Sequence, residues 1–159
     1  MNKDAKQRCI TASCIIYKKG KVVLVHHKKL GIWIYPGGHV DPNEHPHDAA
    51  VREALEETGL KVKLVSCGSV KIKTNDAVSL PMPLTIMQEY VPYKTGPHLH
   101  FDLIYYAKPI SGKLRLAKDE ATSIGWFSKK DIEKLDTLDN IKQVLLAFFE
   151  KCKLAENVI

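Results

Sequence analysis

Residues 38–60 read GHVDPNEHPHDAAVREALEETGL. The segment opens as a loop, because Pro42, Asn43 and Pro46 oppose regular structure up to His45. Pro46 suits the first turn of a helix, where its missing N–H costs nothing. Gly59 suits the stop that follows. The spacing therefore predicts a helix over 46–58. At about 100° per residue, Val51, Ala54, Leu55 and Thr58 form one apolar stripe. Glu53, Glu56 and Glu57 gather on nearly the opposite side. Arg52 stands four residues before Glu56 and can reach it.

That acidic patch runs against the balance of the chain, which carries a formal net charge of +6 over 159 residues. Three carboxylates on one short segment repel each other unless something positive binds among them. Hard divalent cations such as Mg2+ or Mn2+ prefer oxygen ligands of this kind.

Outward from the helix, the pattern is mostly strand. "ITASCIIY" and "KVVLVHH" flank "KKGK" as strand, turn and strand. "IWIYPGG" is a short aromatic strand stopped by proline and glycine, and "VDPNEHP" is the loop before the helix. Strand character resumes over "LKVKLVSCGSVKIK", then in "LTIMQEYVPY", "HLHFDLIYYAKP" and "IGWFS". "KKDIEKL" and "TLDNIKQVLLAFFEKCKL" read as helices, the second amphipathic. The order implies an α/β fold with a mixed sheet between helices. The length suits one domain over residues 1–159.

The bulk numbers exclude several classes. A hydrophobic fraction of 45% and a charged fraction of 26% are ordinary for a globular protein. No apolar run approaches the roughly 18 residues of a membrane span, and the first 20 residues lack the apolar core of a signal peptide. A cytoplasmic protein is expected. Cys9, Cys14, Cys67 and Cys152 form no CxxC pair and are read as buried or half-buried thiols. Cys9 and Cys14, five apart, should point to opposite faces of one strand. The basic balance is compatible with an anionic partner. The lysines are scattered, however, and alternate with apolar residues, which suits solvated strand faces.

From Gly38, the string is G-x5-E-x7-R-E-U-x-E-E-x-G-U, where U is aliphatic or small. It is carried by Gly38, Glu44, Arg52, Glu53, Ala54, Glu56, Glu57, Gly59 and Leu60. Here the chain resembles the Nudix hydrolase family, whose defining box has that spacing. Seven fixed letters match by chance at a given start only about 10⁻⁹ to 10⁻⁸ of the time. "VVLV", "WIYPGG" and "IGWFS" extend the likeness more weakly along the chain.

The resemblance implies a Nudix-type α/β/α sandwich and metal-dependent (Mg2+ or Mn2+) hydrolysis of a nucleoside diphosphate linked to another moiety. It implies Glu56 and Glu57 as main metal ligands, Glu53 as a further ligand or as the base, and the Gly38 carbonyl as a ligand. Arg52 should orient the carboxylates and Glu44 should hold the loop. A carboxylate outside the box often completes such a site. Glu120 in "LAKDEATSIGWFS" is the first candidate, Asp119 the second and Asp102 the third. MutT-type members act on nucleotide-type small molecules, so no membrane partner is implied. A nucleic acid is a weaker alternative, as an RNA 5′ end. A non-catalytic nucleotide-sensing domain would be expected to show a degraded box. Many members form dimers, which leaves a homodimer open.

Substrate recognition is less clearly encoded. Trp33 and Tyr35 are candidate platforms for a base or sugar, and His39, next to Gly38, is expected to face the substrate. His98 and His100 share one face of a strand, but no histidine spacing matches a known zinc pattern. His45 stands where a helix cap prefers Ser, Thr, Asp or Asn.

Overall fold

Lys19 and Gly20 have φ values of +49° and +76°, the tight turn that joins two twisted antiparallel strands. They link β1 (Gln7–Lys18) to β2 (Lys21–His27). The computed structural model describes residues 7–66, 70–93 and 96–156. After the first hairpin come β3 (Ile32–Ile34), β4 (Gly37–His39), α1 (Pro46–Thr58) and β5 (Leu60–Leu64). Then follow β6 (Thr85–Tyr93), β7 (Gly96–Gly112), β8 (Ala121–Ser128), α2 (Lys129–Glu133) and α3 (Asp139–Glu156).

The central path of the sheet is β3-β2-β1-β7-β5. β1 and β7 run parallel, with Cys9 opposite His100 and Thr11 opposite Asp102. The other described pairings are antiparallel: β4 lies on β1, β6 on β7 and β8 on β2. Alternation along β1 separates two cores. Ala12, Cys14 and Ile16 face α1, where they pack with Ala49, Ala50, Ala54, Tyr105 and Ala107. Ile15 faces the other way, onto Ile141, Leu145, Phe148 and Phe149 of α3. The expected sandwich, a mixed sheet between helices, is the fold observed. Cys14 is buried, Cys9 and Cys152 are half-buried, and Cys67 lies outside the described residues. No described helix is long and apolar enough to cross a membrane.

Two expectations need correction. The strand expected over 60–73 stops at Leu64. Val70 and Ile72 are exposed, and beyond Val65, which still donates to the Tyr106 carbonyl, the described strand pairing is a single bridge from Lys73 to Val78. Alternation there lacks a neighbouring strand to make it a ladder. The buried stripe of α1 is also rotated. The helix buries Ala49, Ala50, Ala54, Glu57 and Thr58, whereas Leu55 is 40% exposed. Alanines let the helix sit close to the sheet, and that close approach carries Glu57 inward.

His45 caps α1 with extended backbone and no side-chain hydrogen bond. The other end is built more tightly. Gly59 has a φ of +72°, and a Cβ there would lie 2.8 Å from the Lys113 carbonyl oxygen. Both the left-handed backbone and the crowding require glycine. Gly59→Ala should cost at least about 1 kcal/mol. The melting temperature should then fall by roughly 2–4 °C or more in thermal unfolding.

Asp102 joins β7 to β1 on the α3 face. It is 3% exposed and accepts hydrogen bonds from the Thr11 hydroxyl at 3.2 Å and the Ser13 hydroxyl at 2.9 Å. Burial and the neighbouring Glu89 push its pKa up to about 7, against the pull of Ser13 and Thr11. The folded protein therefore keeps a proton that the unfolded chain releases near pH 4. This group's stabilisation is full below pH 4 and is lost as pH rises through about 7. Asp102→Asn should flatten that decline, which is on the order of a few kcal/mol, when urea midpoints are compared across pH 4–8.

Candidate active site

The turn between β3 and β4 brings backbone against α1. Gly37 donates its N–H to Glu57 Oε2 at 3.3 Å. A Cβ on Gly38 would collide with the Glu53 carboxylate, and one on Gly37 would collide with Ser13. Only glycine permits this approach. Glu53 and Glu57, one helical turn apart, both point at this strip. Glu120 enters from the turn before β8, held by its backbone carbonyl, which accepts from the Lys28 N–H at 2.8 Å. Carboxylate oxygens of Glu53, Glu57 and Glu120 all lie within 4.8 Å of one another.

Like charges held this close raise one another's proton affinity. Glu57 is 5% exposed. Burial first, and then Glu53 and Glu120, push its pKa up to about 8, partly offset by the Gly37 N–H. Burial also raises Glu53, against the opposing effect of Arg52. The donor set is all oxygen, crowded and short of positive charge, and this fits a hard divalent cation.

Arg52 organises the acids from the side. Its Nε and Nη2 donate to the two Glu44 oxygens, each at 2.9 Å. Nη1 donates to Glu53 at 2.7 Å and to Glu56 at 3.1 Å, and Nη2 also reaches the His39 carbonyl at 3.1 Å. Glu44 in turn accepts from the Asp41 N–H at 3.0 Å. The Arg52 hydrogen bonds hold Glu44 well below the usual carboxylate range, at about 2. Planar guanidinium geometry serves five acceptors here as an ammonium could not.

The structure sorts the residues singled out by sequence. Glu53, Glu57 and Glu120 converge beside Gly38, and Arg52 and Glu44 brace them. Glu56 is apart from that trio: its side chain is 55% exposed and pairs with Arg52 at i,i+4. Asp119 lines the same cavity of about 310 Å3, along with His27, Lys29, His39 and Asp41. A second cavity, of about 380 Å3, shares His27, Gly37, Gly38 and His39 with the first. Tyr35 and Asp102 line it, as do Glu89 and Asn140, which sequence reading missed. The Asn140 amide donates to Glu89 at 2.8 Å. Trp33 lines neither cavity; it packs on Phe127, with ring centres 4.7 Å apart, and edge-on to His26. Gly37 was also missed, although its place beside Gly38 in a doubled glycine was a visible signal. Cys9 comes within 4.0 Å of His98, a contact across 89 residues that no local pattern announces.

The NUDIX domain sequence model matches residues 7–149. A Bacillus subtilis relative, provisionally described as an 8-oxo-dGTP diphosphatase, is 44% identical over 50 residues, covering 31% of this chain and 34% of that one. A MutT-like protein of Streptomyces ambofaciens is 22% identical over 123 residues, 77% of this chain and 65% of its own. The matches thus span from a third to just under two thirds of those relatives. The crystal structure of a NUDIX-family hydrolase from Clostridium perfringens superposes with a TM-score of 0.74 at 29% identity, covering 92% of this chain and 99% of that one. With the family's pattern matched across all but the ends and its fold reproduced, the chain belongs to the Nudix hydrolase family.

Proposed function

We propose that this protein hydrolyses the diphosphate linkage of a nucleoside diphosphate derivative, using water and a divalent cation, Mg2+ or Mn2+. The observation that carries the reading is the convergence of Glu53, Glu57 and Glu120 on the Gly37–Gly38 strip. A bound cation would neutralise phosphate charge and lower the pKa of water in that cavity.

The chain's own residues supply the rest. Glu57 and Glu120 would hold the cation by their side chains, with the Gly38 backbone beside them. Arg52 holds one oxygen of Glu53 and leaves the other free to accept a proton from the attacking water. By tying Glu44 and the His39 carbonyl to the same guanidinium, Arg52 also fixes the loop that carries the glycines. Lys29, His27 and His39 border the cavity and face the phosphates. Positioning and electrostatics of this kind are most of what phosphoryl chemistry asks of a protein.

The second cavity takes the organic part of the substrate. Its walls are polar: the Glu89 and Asp102 carboxyl groups and the hydroxyls of Thr11, Ser13 and Tyr35 line it. A heterocycle presenting N–H donors along one edge suits that wall, with Tyr35 and Ile34 as apolar surface. The description of the Bacillus subtilis relative names an oxidised guanine nucleotide, which has such an edge.

Glu57→Gln and Glu120→Gln should each lower kcat by at least about 100-fold on a nucleoside triphosphate panel. Both should weaken Mn2+ binding measured by water relaxation. Full turnover in both variants would remove these residues from the site. Arg52→Lys should cost roughly tenfold in activity, with kcat falling more than KM rises, because one ammonium cannot hold Glu44, Glu53 and His39 together.

A further inference from the structure

The α3 face of the sheet carries a second cluster of possible ligands, different in chemistry from the carboxylates. The parallel register sets Cys9 of β1 opposite His100 of β7, and His98 lies two residues earlier on the same face. Cys9 Sγ and His98 Nδ1 are 4.0 Å apart. One atom from each of Cys9, His98 and His100 lies within 4.8 Å of the others. We infer that Cys9, His98 and His100 form a second metal site, which takes a thiophilic divalent cation such as Zn2+.

The geometry is close to what such an ion needs. Metal–sulfur and metal–nitrogen bonds of about 2.3 and 2.0–2.1 Å in a tetrahedron put ligand atoms roughly 3.3–3.6 Å apart. Side-chain shifts of about 1 Å close the difference. The backbone is already in place, since two ladder-paired strands supply all three residues. Cys9 and His98 are half-buried, which leaves a path for the ion, and His100 is 7% exposed. A neutral imidazole can give such an ion the lone pair of one ring nitrogen. On binding, the Cys9 thiol gives its proton to solvent and ligates as thiolate.

Ligand softness separates the two sites. Thiolate and imidazole select Zn2+ over Mg2+, and carboxylates do the reverse. Three protein ligands leave a fourth position open. His39 stands beside the cluster, its ring centre 5.0 Å from that of His100. His100 also lines the second cavity, so an ion here would sit at that cavity's rim. The site does not depend on the hydrolase reading, because it shares no ligand with the acidic trio.

Cobalt provides the test. The reduced, metal-free chain is titrated with Co2+ in excess Mg2+, and thiolate-to-cobalt charge transfer is followed with the visible band of tetrahedral Co2+. One equivalent should bind, and Zn2+ but not Mg2+ should displace it. Cys9→Ser should abolish the charge-transfer band, and His98→Asn should weaken binding at least about tenfold. Circular dichroism should show both variants folded. Glu57→Gln should leave the band unchanged, which separates this site from the acidic one. Absence of the band in the wild type would overturn the proposal. So would a band that survives Cys9→Ser, which would assign the thiolate to another cysteine, or one that Mg2+ removes.

Discussion

The arrangement depends on an electrostatic conflict. Glu53, Glu57 and Glu120 line one cavity and are brought within 4.8 Å of one another. Uncompensated, such a group resists ionisation, and the raised pKa of Glu57 expresses that resistance. Arg52 relieves only part of it, because its donors are divided among Glu44, Glu53, Glu56 and the His39 carbonyl. The remainder is the feature of the cavity that suits a cation. Packing supports the conflict from below. Ala49, Ala50 and Ala54 let α1 lie close to β1, and the Gly37–Gly38 strip lets backbone replace side chains where the acids converge.

Two faces of one strand divide the labour. The even positions of β1 build the alanine-rich core that seats α1. Its odd positions carry Cys9, Thr11 and Ser13 toward the α3 side, where β7 sets His100 and Asp102 beside them. Period-two alternation thus sets a polar pocket and a Cys–His cluster on one face of a single strand pair and the seat of α1 on the other. The parallel β1–β7 ladder is the part of the fold that brings distant sequence together.

Much of this was legible in the sequence, and the part that was not has a physical reason. Pro46 and Gly59 bounded α1 correctly, because capping chemistry is local. The spacing of Arg52 and Glu56 foretold their pairing for the same reason. The face of α1 was misjudged: hydrophobicity favoured Leu55 for burial, but how close helix and sheet can come is set by small residues. That closeness buried Glu57 and left Leu55 partly in solvent. Trp33 was a candidate platform because it is aromatic, and its ring packs on Phe127. Glu89, Asn140 and Cys9 gained their neighbours only through tertiary register, which no window of sequence encodes.

The two cavities meet along Gly37, Gly38 and His39, but their distinctive walls come from different elements. α1 and the turn before β8 furnish the acids, while β6, β7 and α3 furnish Glu89, Asp102 and Asn140. Substitutions in the second set can therefore reshape that cavity without touching the acids of the first. What the two cavities hold in common is chiefly a three-residue strand, two of whose members have no side chain to lose.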